Sequence, residues 1–315
     1  MNHPSKLLPA VSKVAVAMGV FDGVHLGHQA ILSNLVECAR ANGACPVALT
    51  FAPHPKAVLA PPAPLLLATY ALQARLMGTA GIQYLIRMPF TRELASLSPQ
   101  DFLASHFQLP GLQVTAFCVG ENWRFGCHNS GDAALLTKWA ASHGISASVV
   151  PCVQYAGELI SSTRIRHAIA TGDLAAVQAM LGRPYAISGV VRHGQGIASE
   201  KLHCPTANLH EPEQACPPEG VYAVSAELED GRVFPGIAYA GRAPTLRSDG
   251  QFLLEPHLFG LDEEIHDKQL TISFLQFIRP SRKFDSPNAL QEQIKRDLAV
   301  VKALFPNHAG ILEGR

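Results

Sequence analysis

The chain has 315 residues, 48% of them hydrophobic, and its 25 basic and 25 acidic side chains leave a formal net charge of zero. That length accommodates two domains and a sizeable core. Balanced charge removes the broad electrostatic attraction by which nucleic acids or anionic membranes are bound, so neither partner is expected. No apolar stretch is long enough to span a bilayer. The apolar run near the N-terminus leads into Phe-Asp-Gly-Val-His instead of a small-residue cleavage site, so no signal peptide is expected. Seven cysteines without Cys-x-x-Cys spacing favour reduced thiols in a cytoplasmic protein over disulfides or zinc.

Val14 to Val20 is small, largely β-branched and uncharged, the pattern of a strand buried on both faces. Gln29 to Ala41 carries Ile31, Leu32, Leu35 and Ala39 at helical spacing. Between them, Gly19 and Gly27 permit close backbone approach, the helix N-terminus offers N–H groups to an anion, and His25 and His28 flank Gly27 with imidazole donors. This is a phosphate site in form, although neither a Walker loop nor the dinucleotide fingerprint matches. The competing reading of His-x-Gly-His alone, a tight turn with solvated histidines, is the less favoured of the two.

Cys45 to Phe51 is a second buried strand, and Pro53-His54-Pro55 holds His54 on rigid backbone just past its carboxyl end, where open α/β sheets bind ligands. Leu72 to Gly78, containing Arg75, reads as helix, Gln83 to Phe90 as strand, and Ser98-Pro99 as a helix start. Gln113 to Gly120 is a strand leading to Asn122, Trp123 and Phe125, whose rings suit a ligand wall or an aromatic plug equally. Gly131-Asp132 leads a helix, and Ser146 to Val153 gives a fifth strand. Ser161-Ser-Thr-Arg-Ile-Arg166 places hydroxyls and guanidiniums at a helix entry, fit for capping or for phosphate. Gly172 ends that helix and Asp173 caps the next.

From Tyr185 onward, strand–helix alternation gives way to strands and turns. Ala186–Val191, Val221–Leu228, Val233–Tyr239, Phe252–Leu258 and Gln269–Ile278 read as strands, with Asp230-Gly231 as a hairpin turn. A last helix starts at Ser286-Pro287, its stripe being Leu290, Ile294, Leu298, Val301 and Phe305. Five or six strands followed by one helix suggest a closed antiparallel barrel.

Phe21-Asp-Gly ahead of His25-Leu-Gly-His28, together with Thr50-Phe-Ala-Pro-His-Pro55, resembles the nucleotidyltransferases of the His-Ile-Gly-His signature. Val119-Gly-Glu-Asn-Trp-Arg-Phe-Gly126 and Ile160-Ser-Ser-Thr-Arg-Ile-Arg166 narrow the likeness to the bacterial bifunctional riboflavin kinase/FMN adenylyltransferases. The second half resembles their kinase domain in Pro205-Thr-Ala-Asn208, Gly220-Val-Tyr-Ala, Pro244-Thr245 and Glu255-Pro-His-Leu. Arg279, Lys283-Phe284, Gln293-Ile294 and Asp297 complete that pattern.

The resemblance implies an α/β architecture: a Rossmann-like nucleotidyltransferase domain with a parallel sheet over residues 1–184, then a small antiparallel β-barrel domain with a C-terminal helix over 185–315. It implies ATP-dependent phosphorylation of riboflavin to FMN, then adenylylation of FMN to FAD with release of pyrophosphate. The small-molecule partners are then riboflavin, FMN and ATP, with Mg²⁺ as the metal. In the first domain His25 and His28 would be catalytic, with Gly19, Phe21, Asp22, Gly27, His54, Asn122, Ser162, Thr163 and Arg164 binding ATP or FMN. In the second, Glu255 would take the proton from the ribityl 5′-hydroxyl, Gly194 and Gly196 would border ATP or flavin, and Thr206 and Asn208 would hold Mg²⁺ and phosphate.

Departures from the family pattern cluster in the second half. Ile197-Ala-Ser-Glu-Lys-Leu-His203 stands in place of Arg-Gly-Arg-x-Leu-Gly, one residue longer and with Glu200 added. Glu264-Ile-His-Asp267 replaces Asp-Leu-Tyr-Gly, and Ala238-Tyr-Ala-Gly241 stands where Asn-Ile-Gly is common. They leave open an FMN adenylyltransferase whose barrel binds flavin with weak or no kinase activity. A nucleotidyltransferase for another phosphorylated small molecule is the third reading.

Overall fold

A computed structural model describes residues 13–108, 111–192, 208–210, 213–242 and 252–305. Its contacts divide the chain into two compact units, Met1–Leu66 with Tyr70–Ser162, and Leu67–Thr69 with Thr163–Arg315.

The first unit runs β1 (Lys13–Met18), α1 (Leu26–Ala41), β2 (Cys45–Ala52), α2 (Pro55–Leu59), α3 (Tyr70–Thr79), β3 (Tyr84–Pro89), α4 (Arg92–Ser96) and α5 (Pro99–Phe107). It continues with β4 (Gln113–Gly120), β5 (Arg124–Phe125), β6 (Gly131–Asp132), α6 (Ala133–Ser142), β7 (Ser146–Val150), β8 (Gln154–Tyr155) and β9 (Glu158–Leu159). Five strands form a parallel sheet in the order β3-β2-β1-β4-β7.

The uninterrupted apolar run of β1 follows from helices covering both faces of a parallel sheet. Val14, Val16 and Met18 lie in one core layer with Val47, Leu103 and Phe117, while Ala15 and Ala17 lie in the other with Leu32 and Leu35 of α1. Alternation along a strand sends these sets to opposite faces. Alanines on the α1 side let the helix settle close to the sheet.

Local signals place the helix starts well. Ser98 accepts a hydrogen bond from Asp101 N at the head of α5, and Asp132 accepts one from Leu135 N at the head of α6. The fifth parallel strand stops at Val150, short of the expected Val153, because Pro151 brings no N–H to a ladder. The order of the strands reverses at β1, with β2 and β3 on one side and β4 and β7 on the other. In an open α/β sheet, that reversal opens a crevice at the carboxyl ends of β1 and β4.

The second unit holds α7 (Ser162–Thr171, its first residue at the boundary), α8 (Leu174–Leu181), β10 (Tyr185–Val190), β11 (Leu209–His210), β12 (Gly220–Leu228), β13 (Val233–Arg242), β14 (Phe252–Leu258), β15 (Gln269–Pro280) and α9 (Pro287–Ala303). The contact boundary at Ser162/Thr163 precedes the change of sequence pattern at Tyr185 because α8 packs on β10 and β15.

Six antiparallel strands form one sheet in the order β10-β15-β12-β13-β14-β11. Just beyond its two edge strands, Arg192 N donates to the Asn208 carbonyl at 2.9 Å, an antiparallel bridge joining the two edges as barrel closure demands. Tyr185, Tyr222 and Phe274 are large buried rings inside, Tyr185 stacking on Phe274 and Tyr222 meeting it edge-on. One position along β12, Ala223 packs instead with Val301, Leu298 and Phe305 of the α9 segment. Ser286 caps α9 by accepting from Ala289 N. The Asp297 carboxylate, nearly fully buried, accepts from Arg279 Nε at 2.8 Å and from Gln293 Nε2 at 2.7 Å. Three residues of the spaced pattern Arg279, Gln293 and Asp297 are thus one ionic knot.

Candidate active sites

In the first unit the chain leaves β1 through a turn of unusual conformation. Gly19 N donates to the Leu49 carbonyl at 3.1 Å, and a Cβ at Gly19 would lie 3.1 Å from the Phe21 ring. Phe21 (φ +52°), Gly23 (φ +79°) and Val24 (φ +42°) are all left-handed. A β-branched residue such as Val24 rarely adopts that region. What holds it there is burial of the Phe21 and Val24 side chains against α1 together with hydrogen bonds to the turn's carbonyls. Thr50 Oγ1, on β2, donates to Val20 O at 2.8 Å. Gln73 Nε2, on α3, donates to Val20 O and Phe21 O, each at 3.0 Å.

The turn delivers two histidines to the head of α1, which begins at Leu26, ahead of the expected Gln29, because His25 caps it. His25 Nδ1 accepts from His28 N at 3.3 Å, so the proton of a neutral His25 sits on Nε2. The two imidazoles stack at 3.6 Å between centroids with 18° between planes, and Phe21 meets His28 edge-on at 5.3 Å. A Cβ on Gly27 would lie 3.2 Å from His25 Cε1, so glycine leaves the stack room.

His28 Nδ1 is enclosed with no hydrogen-bond partner among the described residues. Burial, and secondarily the neighbouring His25, hold the His28 pKa well below the usual 6.5. His28 is therefore neutral at pH 7. The mouth of a 16-residue helix, with its partial positive charge and amide donors, lies beside both rings and is suited to an anion.

Asp22 is buried, and its carbonyl accepts from the Ser162 hydroxyl at 3.1 Å across 140 residues of chain. Ser162 is the first residue inside α7, not its cap, and its hydroxyl proton is committed to the turn. Thr163, exposed, and Arg164, half-buried, follow on the same helical turn in the second unit.

His54 caps α2, its Nδ1 accepting from Lys56 N at 3.1 Å, which again leaves the proton on Nε2. Asn122 is exposed beyond the end of β4. Its neighbour Trp123 stacks on Phe125 at 4.3 Å, and Phe125 is buried against Phe102, so Phe125 serves as the plug. The sheet order therefore brings His54, the His25–His28 pair and Asn122 to the carboxyl ends of three adjacent strands, β2, β1 and β4. Gln73 escapes a reading of the sequence, since a polar side chain within a helix reads as surface.

In the second unit Glu255 sits half-buried on β14, and burial raises its carboxyl above the ordinary range. The register sets it directly across from Tyr239 on β13. Tyr239 donates its hydroxyl to Glu219 Oε1 at 2.7 Å, and its pKa is pushed up to about 12, first by burial and then by that bond. A Cβ on Gly241 would lie 2.5 Å from Glu219 Cγ, so this pair closes over a glycine. The only sequence signal for it was the departure Ala238-Tyr-Ala-Gly241. Asn208 is buried, its carbonyl occupied by Arg192 N. Gly194, Gly196, Thr206, the stretch 197–203 and Pro244-Thr245 lie outside the described residues. Among the described residues no cluster of three or more His, Cys, Asp or Glu could hold a metal ion.

Comparison with known proteins matches two successive parts of the chain. The family model for FAD synthetase matches residues 8–164, and that for riboflavin kinase matches 181–305. A bifunctional riboflavin kinase/FMN adenylyltransferase from Pseudomonas fluorescens is 36% identical over 299 residues, 95% of each chain. The protein of that name from Escherichia coli K12 is 33% identical over 92% of each chain, and that from Listeria monocytogenes is 32% identical over 94% of this chain and 93% of its own. A crystal structure from Streptococcus pneumoniae, described as a macrolide-efflux protein, superposes with a TM-score of 0.82 at 29% identity over 94% of this chain and 95% of that one. No helix among the described residues is long and apolar enough to cross a membrane.

Proposed function

The chain belongs to the bifunctional riboflavin kinase/FMN adenylyltransferases, and we propose that its two reactions run at the two sites described, the first on the His25–His28 pair and the second on Glu255. It is a transferase of FAD biosynthesis, phosphorylating riboflavin to FMN and adenylylating FMN to FAD with ATP.

In the first site the FMN phosphate attacks the α-phosphorus of ATP and pyrophosphate leaves. Such a transfer needs alignment and charge neutralisation more than covalent help. The observation that carries this assignment is the stacked imidazole pair at the mouth of α1, at the reversal point of the sheet. Helix amides and the histidine N–H groups meet the charge that develops on the triphosphate. His28, neutral by enclosure, acts as a dipolar donor, not as a cation. Gly19, Phe21, Asp22 and Gly27 shape the backbone around the phosphates. His54 and Asn122 flank them from the neighbouring strand ends, and Ser162 lies against the turn through its bond to the Asp22 carbonyl. Thr163 and Arg164, which follow it in sequence, are the further ATP-binding residues that the resemblance implies.

In the second site Glu255 accepts the proton of the ribityl 5′-hydroxyl as that oxygen attacks the γ-phosphorus of ATP, the bond from the γ-phosphorus to the bridging oxygen breaks and ADP leaves. Partial burial favours this, by making the carboxylate a stronger base than one in water. Thr206 and Asn208 both carry side-chain oxygens, the donor type that suits a hard cation which also takes phosphate oxygens and water. Those two residues would hold Mg²⁺, which would neutralise charge on the ATP phosphates, and Gly194 and Gly196 are the ATP- or flavin-binding glycines that the resemblance implies. Free riboflavin, FMN and ATP are the small molecules bound.

The test is a time course with riboflavin and ATP-Mg, separating flavins by chromatography. FMN should appear before FAD. His28→Ala should abolish FAD while FMN formation continues, and equal loss of both products would refute two separate sites. If FMN is adenylylated but riboflavin is untouched, the assignment of the barrel as a working kinase fails.

A further inference from the structure

We infer that Gln73 is a positioning residue for FMN adenylylation, with Thr50 as its partner: together they hold the left-handed turn that aims His25 and His28. This rests on the assignment of adenylyl transfer to that histidine pair.

The turn needs such a restraint. Phe21 and Val24 both carry positive φ, a strained conformation for residues with a side chain that persists only where the surroundings over-determine it. Two carbonyls in the turn face inward, those of Val20 and Phe21. Val20 O receives bonds from both Thr50 Oγ1 and Gln73 Nε2, and Phe21 O receives the second bond of Gln73 Nε2.

Both side chains are buried, Gln73 at 4% exposure and Thr50 at 0%. A polar side chain buried this deeply needs hydrogen bonds in place of the water it gives up. The amide oxygen of Gln73 has no partner among the described residues, so the two bonds donated by Nε2 to the turn are its side chain's hydrogen bonds there. Turning the amide over would set an oxygen against two carbonyls, so the donor role is unambiguous.

Neither residue is part of the imidazole stack, and each reaches the turn from a different element, β2 or α3. The restraint therefore comes from outside the helix that bears the histidines. If the turn relaxes, Val24 leaves its pocket and the capping geometry of His25 goes with it. The stack then loses its alignment with the helix mouth, a loss expressed in the transition state more than in ground-state binding of ATP.

The experiment measures FAD formation from FMN and ATP in the full chain, with riboflavin phosphorylation by the same preparation as internal control. Gln73→Met keeps length and removes the donor, and Thr50→Val keeps shape and removes the hydroxyl, with Thr50→Ser as the conservative rescue. Gln73→Met should lower kcat about ten- to hundred-fold while KM for ATP stays within about threefold and kinase turnover is unchanged. Thr50→Val should fall in the same direction and Thr50→Ser should recover.

An unchanged kcat in Gln73→Met, or a loss confined to KM, would overturn the inference. If Gln73→Met does not fold, the Thr50→Val and Thr50→Ser pair decides, and equal activity of those two would overturn it. Absence of FAD formation in the unaltered chain would instead refute the adenylyltransferase assignment itself.

Discussion

His28 offers a quantitative test of the first site that does not depend on turnover. Its Nδ1 is enclosed without a partner among the described residues, and its ring lies 3.6 Å from that of His25, so protonating it would place a charge in a buried site beside a second imidazole. The folded-state pKa is therefore depressed, while an unfolded chain protonates the same side chain near the usual 6.5. Below that value the unfolded state binds a proton that the native state refuses, so native stability falls as pH falls from 6.5 towards the folded value. Between about pH 7.5 and about pH 5.5 this single group removes as much as about 1.4 kcal/mol, the free energy of one proton bound one pH unit below its pKa.

The comparison is with His28→Gln, which cannot take a proton, so the difference in acid dependence reports what the His28 imidazole contributes within the stacked pair. Both tryptophans of the chain, Trp123 and Trp139, lie in the first unit, so their fluorescence during urea unfolding reports that unit alone. The wild-type midpoint should fall more steeply with acid than that of His28→Gln, with m-values unchanged. Parallel pH dependences, or a His28 ring that titrates at 6.5 by NMR, would refute the enclosure argument.

Asp297→Ala strips the buried ion pair and strands Arg279 and Gln293. A loss of about 3–5 kcal/mol is expected in the second unit. Far-UV circular dichroism should show an earlier transition in that variant while the tryptophan signal keeps its midpoint, and a joint shift of both would count against this localisation. Glu255→Gln should lower riboflavin phosphorylation by about 10²–10⁴-fold and leave FMN adenylylation intact. Because burial raises the Glu255 carboxyl, the acid limb of the wild-type kinase pH profile should lie above the ordinary carboxylate range. A limb at the ordinary value would mean that a different group is the base.

What could be read in the chain beforehand follows from how far each interaction reaches. The caps Ser98, Asp132, Asp173 and Ser286 bind amides within three residues of themselves, so their signals are local and the helix starts fell where expected. β1 was legible for a different reason: coverage on both faces forces an apolar run that needs no knowledge of the covering helices. The barrel emerged from alternation and turns, although its closing contact at Arg192 and Asn208 joins segments that carry no pairing signal of their own. By contrast, Gln73 and the Tyr239–Glu219 pair owe their character to partners on other elements, and an isolated glutamine in a helix or glutamate before a strand carries no mark of that.

The first site combines both kinds of information. His25 caps α1 through a bond to His28 three residues on, a local device that spacing alone could suggest. The conformation that presents this device is left-handed at a valine, which no local preference would choose. It is held by Thr50, by Gln73 and, at Asp22, by a serine 140 residues downstream. Reactive groups at a helix head are thus specified by a short motif, but their aim is set by contacts the motif does not contain. It follows that a segment transplanting residues 19–28 alone onto another parallel sheet should carry the histidines without their stacked geometry.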